Sequence, residues 1–321
     1  MIKGKDVAYA AQCLKSGELV AFPTETVYGL GADAFNARAV AKVFEVKQRP
    51  KFDPLIVHIS SIDQIEELFL QPIDEKVYRL AEAFWPGPLT IVFNRSAIVP
   101  DIVSSGLPTV AVRMPSHPLA VELIRLAGTP LVAPSANRFG KLSPTQASHV
   151  EKQLDGPAYL LDGGSTDYGV ESTVVLITKK GVKILRPGAV TAEELATHVK
   201  VLSHKNEFDE LNVPSPGMLK SHYAPRKPLY IIDKPSELNY VESDGIIIAS
   251  EQDRNLYSVG RVKALSKSGN LQEIAVNLFA VLHQMEDDDE VEDIYIEAIK
   301  EEGVGMAVMD RIRKAAYSYQ K

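Results

Sequence analysis

Four short segments of this 321-residue chain carry side chains suited to gripping a charged small molecule. Lys47-Gln48-Arg49-Pro50 sets two cations one residue apart at the end of a helical pattern. Such a pair suits a polyphosphate, because a guanidinium binds phosphate oxygens in a fork and an ammonium acts as a point charge. Equally, the pair complements a helix C-terminus, where carbonyls carry partial negative charge. Pro23-Thr24-Glu25-Thr26-Val27-Tyr28-Gly29-Leu30-Gly31 follows a strand pattern, and loops at strand ends are where α/β sheets bind ligands. Its hydroxyls can hydrogen-bond and its glycines permit close backbone approach. A capped turn entering a helix is the other reading. A third segment, 132–140, runs from a strand into Ser135, Asn137 and Arg138, with Ser143-Pro144-Thr145 behind it. It fits nucleotide or carboxylate recognition, or an Asx-rich turn. Finally, Gly169-Val170-Glu171-Ser172-Thr173 and Leu185-Arg186-Pro187-Gly188 add a hydroxyl at a strand start and a cation at a strand end.

The elements that must position these groups alternate along the first 200 residues. Apolar residues recur at helical spacing in 7–14, in 40–47 (Val40, Val43, Phe44) and in 77–84, with further helices near 117–127, 144–153 and 191–199. Strand patterns occupy 19–23, 55–59, 89–93, 109–113, 131–133, 159–161, 173–177 and 182–185. This predicts an α/β domain over 1–200, with one large twisted mixed sheet and flanking helices. Residues 201–228 read as a linker, since 206–228 hold four prolines and no clean period. Alternation resumes in 229–321, with strands at 229–232, 245–249 and 294–298 and helices at 271–285 and 306–317. That predicts a smaller Rossmann-like α/β domain. The acidic run 286–290 reads as a solvated loop.

Composition narrows the function classes. Net charge is −7; residues 1–200 hold 21 cations and 21 anions, and 201–321 hold 14 and 21. The C-terminal part is therefore a poor nucleic-acid surface, which normally shows a basic face. One cysteine, Cys13, excludes an intramolecular disulfide framework and reads as a small helix-face residue. No export signal or spanning segment is visible, so a cytoplasmic protein without membrane association is expected. There is no G-x-x-x-x-G-K-[ST], no G-x-S-x-G and no H-E-x-x-H, which removes P-loop, serine-elbow and zinc-hydrolase chemistry.

Taken together and in order, the segments resemble the long form of the YrdC-like threonylcarbamoyl-AMP synthases. The K-x-R and S-x-N signatures stand as Lys47-Gln48-Arg49 and Ser135-Ala136-Asn137. P-T-E-T-V-Y-G-L-G, P-L-I-V-H, P-S-A-N-R-F-G, E-S-T-V-V and L-R-P-G follow the family's order, and Ser215 to Pro225 is similar to the long form's linker. The resemblance implies a reaction of ATP, L-threonine and bicarbonate that yields threonylcarbamoyl-AMP and pyrophosphate. It implies Mg²⁺ carried by the ATP with no protein metal cage, a downstream tRNA threonylcarbamoyl transferase machinery, and at most weak tRNA binding. Its implied catalytic groups are Lys47 and Arg49. Its implied ATP contacts are Lys47, Arg49, Thr109, Ser135, Asn137, Ser143, Arg186 and Tyr223. Its implied threonine contacts are Thr26, His58, Arg113, Ala133 and Ser172, with Arg113 on the carboxylate. His58 taken alone, on an apolar strand, reads as structural. Asp53 stands where family members often carry Asn, and an Asp repels phosphate unless Mg²⁺ intervenes or the side chain turns away. A related carbamoyl or adenylyl transferase and an RNA-binding module are the alternative readings.

Overall fold

The computed structural model describes residues 1–202, 221–233, 240–257 and 261–319. Its larger sheet has ten strands in the order Ile2–Gly4, Tyr159–Leu161, Val20–Pro23, Tyr28–Asp33, Leu131–Val132, Ile56–His58, Thr109–Arg113, Leu89–Asn94, Thr173–Thr178 and Gly181–Arg186. It is mixed: Val20–Pro23 pairs antiparallel with Tyr28–Asp33, whereas Ile56–His58 runs parallel to Thr109–Arg113. A second sheet of four parallel strands follows, ordered Leu229–Ile232, Asp293–Glu297, Asp244–Ser250 and Arg261–Ser266.

Strand alternation explains the layering. Val20 and Phe22 pack with Ala10 and Leu14 of helix Val7–Lys15 and with Leu123 and Ile124 of helix Pro118–Ala127. Leu19 and Ala21 point the other way, towards Val40, Val43 and Phe44 of helix Ala37–Lys47. With both faces covered, the strand reads as a continuous apolar run. Helix Ala37–Lys47 is started by Asn36, whose side chain accepts from the Arg38 and Ala39 amides. It ends at Gln48 in the left-handed conformation, φ 54°. That turn lets the Arg49 amide reach the Phe44 carbonyl at 2.9 Å, so Lys47 and Arg49 leave the helix end in different directions.

Three features depart from the sequence reading. The segment 28–33 is a strand of a tight hairpin and neither a loop nor a helix start. Its glycines serve packing: a Cβ on Gly31 would lie 2.8 Å from the Phe22 ring, and one on Gly29 3.1 Å from the Ala133 Cβ. Strands Ile2–Gly4 and Arg261–Ser266 carry no clear period, and their partners in the sheets define them. The acidic run is not merely solvated. Glu286 and Asp287 end helix Leu271–Asp287 and pair with Arg226, and Asp287 also pairs with Lys152 of the first domain.

The two domains share a seam of buried groups. The core of the second domain, built on Leu278, Leu282, Ile294 and Ile312, also takes in Leu142, Val170 and Tyr223. His149 and His283 stack across the seam with ring centroids 3.9 Å apart. Between the domains, residues 221–228 run along the first, where the Ala224 amide donates to the Gly140 carbonyl at 2.8 Å. The linker residues 203–220 lie outside the described residues. Among the described residues no helix is long and apolar enough to cross a membrane.

Gly169 sits at the tightest point of the seam, with φ 68° and an ideal Cβ position 2.3 Å from the Val276 carbonyl oxygen. Gly169→Ala introduces both a left-handed non-glycine residue and a backbone clash. A loss of about 2–4 kcal/mol is expected in urea unfolding of the full chain. An unchanged midpoint would show that the two domains are not packed this closely.

Candidate active site

Strand ends, the hairpin and loops from several elements surround a narrow cleft. Ile56, His58, Arg113 and Ala133 come from the sheet, and Thr24, Thr26 and Gly29 from the hairpin. Arg49 and Pro54 follow the helix, while Glu171, Ser172 and Arg186 close the far side. His222 and Tyr223 form the roof.

One end of the cavity is organised by Arg113, which is buried on its strand. Its Nη1 donates to Thr26 Oγ1 at 2.9 Å and its Nε to the Gly87 carbonyl at 3.2 Å. Nη2 lies 2.6 Å from Glu25 Oε1, a charge contact in which neither atom makes a directed hydrogen bond among the described residues. The guanidinium thus keeps its charge balanced while retaining donor capacity. Beside it, His58 Nδ1 lies 3.2 Å from the Ile56 carbonyl, which can only accept, so Nδ1 carries the hydrogen. Burial, then the nearby Arg113 charge, push the His58 pKa down to about 3. The ring is neutral at pH 7, and Nε2 is left as an acceptor.

The other end is cationic. Arg49 Nε donates to the Asp53 carbonyl at 3.2 Å and Nη2 to the Pro54 carbonyl at 3.1 Å, and Nη2 also lies 2.8 Å from Asp53 Oδ2. The Asp53 side chain is therefore turned towards Arg49. Arg186 donates from Nε and Nη2 to the Ser172 carbonyl, at 3.1 and 2.9 Å, and from Nη2 to Ser172 Oγ at 3.1 Å. Ser172 Oγ in turn lies 2.8 Å from Thr90 Oγ1.

Residues 12–188 match the family model described as telomere recombination, and residues 190–317 match that of the threonylcarbamoyl-AMP synthase C-terminal domain. The threonylcarbamoyl-AMP synthase of Bacillus subtilis is 43% identical over 97% of this chain and 92% of its own length. The chain belongs to the threonylcarbamoyl-AMP synthase family. That of Pyrococcus abyssi is 40% identical over 97% of this chain and 94% of its own. A crystal structure of the P. abyssi protein in complex with L-threonine aligns with a TM-score of 0.86 at 38% identity, covering 98% of this chain and 97% of that one.

Nine of the side chains implied by the family resemblance line the cavity: Thr26, Arg49, His58, Arg113, Ala133, Ser135, Ser172, Arg186 and Tyr223. Four do not. Lys47 is buried behind the wall, where its ammonium donates to the carbonyls of Ser135 and Asn137 at 2.5 and 2.6 Å. Asn137 Nδ2 donates to the carbonyls of Arg138 and Lys141, both at 2.8 Å, and so holds the same loop from within. Ser143 Oγ donates to Glu171 Oε1 at 2.5 Å. Thr109 begins the strand that ends at Arg113 and pairs with Asn94. The sequence reading singled out neither Glu25 nor Glu171 as functional, although each stands inside a quoted motif. A lone carboxylate among hydroxyls and cations was the available signal. His222 stood beside Tyr223 in the same way.

Two expectations follow for the synthase site. Lys47→Met removes the donor from two buried carbonyls, at about 1–3 kcal/mol for each orphaned acceptor. Both the urea midpoint and turnover should fall. Loss of ATP affinity at unchanged stability would instead assign Lys47 to the phosphates. The second concerns His58, His149, His222 and His283, all buried, whose pKa values burial pushes down to about 3, 3, 3 and 4. The unfolded chain takes up these protons near pH 6.5, so their contribution is complete above that pH and is lost as pH falls towards the folded values. Each should add a slope approaching one proton, about 1.4 kcal/mol per pH unit, between pH 6 and 5, with the His283 share fading towards pH 4. Urea midpoints across that range should show it, and His283→Gln, which keeps a donor for the Ser143 carbonyl, should remove about one proton's worth of slope.

Proposed function

We propose that this cavity joins L-threonine, bicarbonate and ATP to form threonylcarbamoyl-AMP, releasing water and pyrophosphate. The observation that carries the reading is the Arg113 end of the cavity. A buried guanidinium with donor capacity to spare, a neutral histidine acceptor and a threonine hydroxyl converge there. An amino acid with a hydroxylated side chain presents a carboxylate, an amine and an alcohol, and these three groups match that set. The L-threonine complex of the P. abyssi relative supports the same assignment.

The threonine nitrogen acquires CO₂ from bicarbonate, with loss of water, and becomes a carbamate. A carbamate oxygen then attacks the α-phosphorus of ATP, and pyrophosphate leaves. No covalent bond to the enzyme is required, so the work is placement and charge stabilisation. Arg49 and Arg186 are the cations facing the phosphates. Lys47 acts from beneath by fixing the loop that carries Ser135. A Mg²⁺ would enter with the triphosphate and neutralise its charge. Among the described residues no group of three or more His, Cys, Asp or Glu side chains could hold a metal. Asp53 is turned towards Arg49 and does not line the cavity, so the ion would be held chiefly by the triphosphate oxygens and by water. The product fits consumption by a tRNA threonylcarbamoyl transferase machinery. An RNA-binding role draws no support from the charge balance of 1–200.

Pyrophosphate release by desalted protein with ATP and Mg²⁺ should require both L-threonine and bicarbonate. Arg113→Lys keeps the charge beside Glu25 but loses the fork. It should raise the KM for L-threonine by about 10–150-fold and leave that for ATP within about threefold. Threonine-independent release would overturn the substrate assignment.

A further inference from the structure

Arg311 belongs to helix Gly305–Ala316 of the second domain, yet its side chain is buried against the loops that wall the cavity. Its Nε donates to Glu171 Oε2 at 2.8 Å and its Nη1 to the Pro187 carbonyl at 2.8 Å. Asp310 Oδ2 also lies 2.7 Å from Nη1, and the guanidinium carbon sits 5.5 Å from the centre of the Tyr223 ring. The other oxygen of Glu171 accepts from Ser143. Burial raises the Glu171 pKa, but Arg311 and Arg186 outweigh it and bring the pKa down to about 2, so the pair is charged at any working pH. Glu171 and Pro187 flank Ser172 and Arg186, and Tyr223 roofs the same space.

We propose that Arg311 is a positioning residue through which the C-terminal domain sets the nucleotide end of the cavity, by clamping Glu171, Pro187 and Tyr223. The inference rests on the synthase reading for what occupies that end. Removing one partner of a buried pair leaves an uncompensated charge. Without Arg311, the Glu171 carboxylate is left with Arg186 as its neighbouring cation and competes with the phosphates for it. An arginine that merely cemented the domains would lower stability and leave the balance between the two substrates unchanged.

The test uses the full chain with Arg311→Met, Arg311→Lys, Glu171→Gln and the double variant Arg311→Met/Glu171→Gln. Binding of ATP and of L-threonine is measured by calorimetry alongside pyrophosphate release and urea midpoints. Arg311→Met should weaken ATP by about 10–150-fold, with L-threonine within about threefold. The double variant, having no orphaned carboxylate, should recover about tenfold of that loss. Equal loss for both substrates, no loss for either, or no recovery in the double variant would overturn the proposal. If Arg311→Met does not fold, Arg311→Lys decides. It keeps the charge but cannot fork onto both Glu171 and Pro187, and wild-type ATP affinity in it would overturn the proposal. ATP binding needs no turnover, so a wild type that binds ATP without threonine-dependent release faults the reaction assigned above and leaves the Arg311 comparison intact.

Discussion

Cations held out of water around one cavity must each find a counter-charge or a ring of carbonyls, because an uncompensated buried charge costs several kcal/mol. The chain meets this need locally. Arg49 is matched by Asp53 four residues on, and Lys47 by carbonyls of the loop it supports. Arg113 is matched by Glu25 from the hairpin, and Arg311 by Glu171 from the loop before Ser172. These pairings explain why the carboxylates stand inside the recognisable motifs. Two of these pairs also fix distances between elements: Arg113–Glu25 ties the strand to the hairpin, and Arg311–Glu171 ties the C-terminal helix to the loop before Ser172, each at under 3 Å.

The pairing is deliberately incomplete from the standpoint of hydrogen bonding. Both Glu25 oxygens, Arg113 Nη2 and Asp53 Oδ2 are buried without a directed hydrogen bond among the described residues. Both carboxylate oxygens of Glu171, by contrast, accept directed hydrogen bonds, from Arg311 Nε and Ser143 Oγ. Of these groups Arg113 lines the cavity, as does the fully paired Glu171 on the far side. Arg113 Nη2 thus keeps a donor that the protein does not use, on a charge already fixed in place.

Much of this was legible in the sequence, for a physical reason. The strands of the large sheet are buried on both faces, so they read as apolar runs, and the end of helix Ala37–Lys47 was marked by Arg49-Pro50. The hairpin at 28–33 was missed because glycines that accommodate Phe22 and Ala133 resemble glycines that admit a ligand. Arg261–Ser266 was missed because its partners, and not its own pattern, make it a strand. At the site, residue type indicated which side chains were charged or hydroxylated but not which way they point. Lys47 and Arg49 share a motif and diverge because Gln48 turns left-handed between them. Arg311 lies 140 residues from Glu171, and no local pattern records a contact of that kind.

The roof shows how the second domain enters the site. Tyr223 has φ 62°, a conformation costing of order 1–3 kcal/mol for a residue with a side chain, so its surroundings must over-determine it. They do so from both domains. Phe279 packs on the ring at 5.5 Å and Arg311 stands over it at 5.5 Å, while His222 lies edge-on to it at 4.1 Å. Next to it, the Ala224 amide is bound to Gly140 of the first domain. A roof held this way depends on helices Leu271–Asp287 and Gly305–Ala316 being seated, and Gly169 is what lets the first of them approach. The cavity is therefore a property of both domains: the first supplies its cations, and the second keeps one wall and the roof in register with them.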